Sequence, residues 1–87
     1  MSAWQIGKNY LIRTVTMTNT GRLVSFDEHE LVLVDAAWVA ETGRFANAVA
    51  KSEFGEVEIF PDGMHVIIGR GAVIDAVQIP KLPRVTK

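Results

Sequence analysis

Apolar and polar residues alternate along most of the chain, with the period of β-strands. Asn9 to Thr18 is rich in Tyr, Ile, Val and Thr, broken only by Arg13, and stops at Asn19-Thr20-Gly21, a turn signal whose glycine is free to take φ > 0. That stretch predicts strand one. Arg22 to Asp27 and Glu30 to Ala36 predict the next two strands, joined by a tight acidic turn. In strand three, Leu31 and Leu33 fall on one face and Val32 and Val34 on the other, so both faces are apolar. Both must be covered, by a closed barrel, by a helix, or by another subunit. Glu56 to Phe60, the turn Pro61-Asp62-Gly63, and Met64 to Ile68 predict a strand, a turn and a strand, since proline presets φ and glycine releases it. Ala72 to Ile79 predicts the last strand. Pro80-Lys81-Leu82-Pro83-Arg84 lacks the donors to continue a ladder, which predicts a tail leaving the barrel extended.

The segment from Ala37 to Phe54 departs from this pattern. Thr42 is a candidate cap for a short helix from Gly43 or Arg44 to Lys51, in which Phe45, Ala48 and Val49 share one face at i, i+3 and i+4. Trp38, Phe45 and Phe54 give the insert three aromatic rings. Helical spacing of an apolar face favours packing on the barrel mouth over a stacking platform for nucleobases. The pattern therefore predicts a single, mainly β domain: a small five-stranded barrel with a short helical insert between strands three and four.

Composition adds a need for a partner. An 87-residue chain buries only about 60% of the surface its unfolded form exposes, so its own core is marginal. There is no cysteine for a disulfide framework, and two histidines, His29 and His65, are too few for an imidazole-rich metal site. A second chain is the remaining supplement. The formal charge of −1, with 48% hydrophobic residues, argues against a broadly basic nucleic-acid surface, so any anion binding must be local. No apolar run approaches the roughly eighteen residues of a membrane span, and Met1 to Gly7 lacks the order of a signal peptide, which together imply a cytoplasmic protein with no membrane partner.

Two stretches carry more specific information. Gly21-Arg22-Leu23-Val24-Ser25-Phe26-Asp27 runs into Glu30-Leu31-Val32-Leu33-Val34-Asp35-Ala36, and further on comes Ile67-Ile68-Gly69-Arg70-Gly71-Ala72-Val73-Ile74. In order and spacing they resemble the bipartite signature of the Sm/LSm family, small five-stranded SH3-like barrels that close into rings by pairing edge strands. Gly21, Asp27 and the run 31 to 36 match the first motif; Arg70, Gly71 and Ile74 match the second, while Gly69, Ala72 and Val73 depart from it. Glu30 stands where the family has an asparagine that reads the edge of uracil. A carboxylate there donates no hydrogen bond at neutral pH and repels phosphate, which argues against oligo-uridine specificity. The resemblance covers about residues 9 to 36 and 64 to 79. It implies a homo-oligomeric ring of five to seven subunits that binds RNA or a nucleotide-like ligand near the central opening, through Arg70 flanked by Gly69 and Gly71, with Asp27, His29 and Glu30 beside it. Asp35-Ala36-Ala37-Trp38, followed by Thr42-Gly43-Arg44-Phe45, also resembles small uncharacterised Sm-like proteins of tailed bacteriophages, which implies a place in the host cytoplasm.

Other chemistry is thin. Asp27-Glu28-His29-Glu30 sets three carboxylates beside an imidazole, but consecutive turn residues point different ways, so Asp27 is expected to accept backbone N–H groups while Glu28 and His29 stay solvated; no metal or other cofactor is expected. Gly69-Arg70-Gly71 is compatible with an anion nest, though a hairpin turn would require glycine as well. No nucleophile or acid–base pair appears, which argues against an enzyme. An RNA- or nucleotide-binding ring and a structural or adaptor ring for another protein remain the two readings.

Overall fold

A computed structural model describes residues 2–87. The chain is a small mainly β protein whose six strands form one antiparallel sheet. They are β1 (Asn9–Thr14), β2 (Thr18–Phe26), β3 (Glu30–Glu41), β4 (Glu56–Ile59), β5 (Val66–Gly69) and β6 (Val73–Gln78), with one helix, α1 (Phe45–Lys51), between β3 and β4. The order is β4-β3-β2-β1-β6, and β5 pairs with the first half of β3, from Glu30↔Gly69 to Leu33↔Val66. The sheet is not closed into the expected five-stranded barrel. The two strands expected after the insert both form, β4 on the far half of β3 and β5 on its near half, but β5 and β6 do not pair with each other, so the sheet stays open. No helix among the described residues is long and apolar enough to cross a membrane.

Strand one ends earlier than the pattern suggests. Thr14 turns the chain over Val15 and Thr16: its N–H donates to the Met17 carbonyl at 2.7 Å, and its hydroxyl oxygen accepts the Met17 N–H at 3.0 Å. A threonine hydroxyl thus supplies what a turn residue would. Asn19-Thr20-Gly21, expected as the turn, is buried inside β2. Gly21 serves close approach instead of a turn, since a Cβ there would sit 2.8 Å from the Leu33 Cβ. Opposite it, β3 carries a bulge. Thr20 pairs with Ala37 and Arg22 with Val34, leaving Asp35 and Ala36 across from Gly21 alone. Asp35 takes a left-handed φ of 50°, rare for a non-glycine residue.

That bulge shifts the alternation by one residue, so odd-numbered positions of β3 lie on the inner face before it and on the outer face after it. Leu31 and Leu33 before it and Ala36 after it join Tyr10, Ile12, Leu23 and Ile68 on the inner face. Val39 joins Leu11, Ala48, Phe54, Val57 and Ile79 on the outer face, under α1. Of the second apolar face of strand three, Val34 is buried and Val32 half-buried, but neither belongs to the core under the helix and tail, which β3 reaches only through Val39 beyond the bulge.

The insert departs from expectation in detail. Arg44, with extended backbone, precedes the helix and makes no side-chain cap; the Thr42 hydroxyl donates to the Gly43 carbonyl instead. Ala48 and Phe54 are the insert's buried anchors, Trp38 and Val49 are half-buried, and Phe45 is 48% exposed with the Arg13 guanidinium 5.7 Å from its ring centroid. The tail does not leave the sheet. It folds back along β4, where Val57 and Lys87 exchange backbone hydrogen bonds at 3.1 and 2.9 Å.

Candidate functional site

The turn between β2 and β3 is built around Asp27. One oxygen of its carboxylate accepts the N–H groups of His29 at 2.7 Å and Glu30 at 2.9 Å, and its own N–H donates to the Glu30 carbonyl at 3.0 Å. The His29 and Glu30 amides favour the charged form and hold the Asp27 carboxyl below the usual carboxylate range. As the turn chemistry requires, Asp27 faces its own backbone. Glu28 and His29 stand outward, strongly exposed, with His29 Nε2 3.5 Å from Glu28 Oε1. Among the described residues, no three His, Asp or Glu side chains converge as metal ligands would.

Arg70 reaches this turn from the other motif. Residues 70–72 form one turn of 3-10 helix that carries the chain from β5 to β6. The Arg70 backbone N–H donates to the His29 carbonyl at 2.9 Å, and its Nη1 donates to the Asp27 carbonyl. The two motifs, far apart in sequence, thus form one surface, with Arg70, Asp27, His29 and Glu30 together. A guanidinium has five N–H groups in a fixed plane, so with one spent on Asp27 it keeps donors and a flat face for a ligand. It is also held in place. The expected hairpin and nest at Gly69 to Gly71 do not form: Gly69 has φ −66°, Gly71 also lies outside the left-handed region, and a nest needs alternating right- and left-handed backbone. A Cβ at either glycine would meet nothing, so neither is demanded by packing; they leave open backbone around the guanidinium. Three carboxylates on the same turn, at 27, 28 and 30, set a negative field against its positive charge.

A second polar constellation has no motif in the sequence. A cleft of about 570 Å³ opens where the tail passes the β3 bulge, lined among others by Asn9, Arg22, Asp35, Asp62, Lys81 and Arg84. Asp35 accepts the Gly63 N–H at 3.1 Å and Arg22 Nη1 at 2.9 Å; these bonds, the Gly63 amide first, depress its pKa. Arg84 donates to the carbonyls of Ala36 at 3.1 Å and Phe60 at 3.0 Å and pairs with the exposed carboxylate of Asp62. These residues come from five separate segments. Only the conjunction of an acidic residue at the strand bulge with arginines on β2 and in the tail would have hinted at them.

No family model matches the chain, and neither a curated protein nor a solved structure matches it.

Proposed function

We propose that the chain is a small Sm-like subunit that assembles head to tail into a ring of five to seven copies and binds RNA or a nucleotide-like ligand beside Arg70. The observation that carries this reading is the meeting of Arg70 with the Asp27–Glu30 turn, because it turns two separated stretches into one cation-bearing surface. The open edges of β5 and β6 flank that surface through the 3-10 turn. Exposed Ile67 on β5 and Ile74 on β6 give each edge an apolar side chain for a neighbouring subunit to cover. Pairing β5 of one copy with β6 of the next is heterologous, and it closes only as a ring. Arg70 then repeats around the opening, so a single guanidinium per subunit becomes a multivalent site.

Fluorescence anisotropy with short oligoribonucleotides at fixed low salt tests the ligand. Arg70→Ala weakens binding by about 1 to 3 kcal/mol per engaged site while leaving assembly intact, as expected for a charge-assisted contact. Glu30→Asn, which replaces a repulsive carboxylate with a donor, raises oligo-uridine affinity. A wild type that binds nothing and a Glu30→Asn variant that gains nothing would leave the second reading, an adaptor ring for another protein. The observation favouring that reading is the set of three carboxylates, Asp27, Glu28 and Glu30, around one arginine, a poor surface for a polyphosphate chain.

A further inference from the structure

We propose that the cleft between the tail and the β3 bulge is a binding site for a phosphate group, separate from the Arg70 surface. A chain of net charge −1 places three of its nine cations, Arg22, Lys81 and Arg84, on the wall of one 570 Å³ cleft. Two carboxylates stand with them, and they are not equivalent. Asp35 is tied on both oxygens, to the Gly63 amide and to Arg22, and sits on the left-handed bulge residue that aims it. Asp62 is almost fully exposed and holds only Arg84, in a surface pair of the kind that contributes little.

Arg84 does not need Asp62 to stay in place. Its guanidinium remains fixed by the Ala36 and Phe60 carbonyls, so an incoming anion can take over the Asp62 position without unseating the arginine. Lys81 is committed only through its backbone N–H, which donates to Ser52 Oγ at 3.1 Å; its ammonium has no partner among the described residues. With Asp62 displaced, three cations face one carboxylate, and the excess of two positive charges matches a dianionic phosphate monoester better than a monocarboxylate. Arginine forks bind phosphate oxygens bidentately, lysine as a point charge, and Asn9 on the rim adds a neutral amide.

Calorimetric titration of the 87-residue chain at constant ionic strength and about pH 8, where a phosphate monoester is dianionic, tests this directly. The probes are inorganic phosphate, adenosine monophosphate as a phosphate carried on a nucleoside, and acetate as the carboxylate control. Both phosphate probes bind and acetate does not. Lys81→Ala weakens phosphate about tenfold, the scale of one charge-assisted contact, with the melting temperature of the free protein unchanged. Asp62→Asn tightens it several-fold, whereas Glu28→Gln, which changes net charge equally on the remote β2–β3 turn, does not. Arg70→Ala leaves phosphate affinity unchanged, which separates this site from the ligand surface proposed above. Phosphate binding that survives Lys81→Ala, that responds equally to Asp62→Asn and Glu28→Gln, or that acetate matches overturns the proposal.

Discussion

The two ends of the sheet are finished differently. At β4 the tail lies along the outer edge: Val57 exchanges backbone hydrogen bonds with Lys87, the Ile59 N–H reaches Thr86 Oγ1 at 3.4 Å, and Lys87 Nζ bonds the Phe54 carbonyl at 2.8 Å. At β5 and β6, among the described residues, no backbone hydrogen bond crosses the outer edge, and Ile67 and Ile74 are 64% and 63% exposed. A bare strand edge is a liability that proteins blunt with charge, proline, bulges or cover. Here one chain does both things. Having covered one edge with its own tail, it leaves apolar side chains along the others, and that contrast supports reading the open edges as places for a second copy.

The sharpest way to break the comparison is to charge an open edge. Ile67→Lys places an ammonium on an exposed position of β5, so the subunit keeps its near-ultraviolet circular dichroism while light scattering shows complete loss of assembly. An unchanged assembly would remove β5 from the interface. The covered side is tested next: Phe54, 5% exposed beneath the helix and tail, costs about 3 to 5 kcal/mol when cut to alanine, whereas the same change at half-exposed Phe45 costs less than about 1 kcal/mol in urea unfolding. Equal losses would mean that Phe45 is also covered, by a neighbouring subunit.

Arg84→Ala should turn the closed edge into an open one. Losing the bonds to the Ala36 and Phe60 carbonyls lowers stability by about 1 to 3 kcal/mol and speeds hydrogen exchange at the Val57 and Ile59 amides without affecting β1. If those amides stay protected, the backbone pair at Lys87 suffices. The smallest effect is on pH. Asp27 and Asp35 both have lowered pKa values, so the stability they add is complete above about pH 4, the ordinary carboxylate range, and drains as pH falls through their folded values. Melting temperature followed from pH 7 to pH 3 should therefore fall mainly at the acid end, and less steeply in Asp35→Asn.

Much of the sheet was legible because its signals are local. Leu31 to Val34 announced a strand needing cover on both faces, the acidic turn at Asp27 formed as an Asx turn, and Pro61-Asp62-Gly63 turned the chain with Gly63 at φ 76°. What escaped depends on distant partners. Val15 and Thr16 are β-branched and give no turn signal, so the β1–β2 boundary rests on the Thr14 hydroxyl. Gly21 looked like a turn residue because its real reason, the nearness of Leu33, lies on another strand. The tail's prolines correctly forbade a continued ladder, but the return to β4 depends on Arg84 finding carbonyls of residues 36 and 60. In the candidate site, Arg70 and Asp27 were legible as types in a pattern; the cleft near Arg84 was not, because Arg22 and Asp35 meet Asp62, Lys81 and Arg84 only when the tail folds back over the β3 bulge.

The Asp35 bulge has a consequence for how the molecule comes apart. β3 supplies Leu31, Leu33 and Ala36 to one core and Val39 to the other, and the phase shift at Asp35 is what moves its odd-numbered positions from the first core to the second. Neither core possesses a wall of its own on that side. Loss of β3 from the sheet strips both at once, so the two cores are coupled into one cooperative unit, and a lesion under the helix is felt across the sheet at Tyr10 and Ile68.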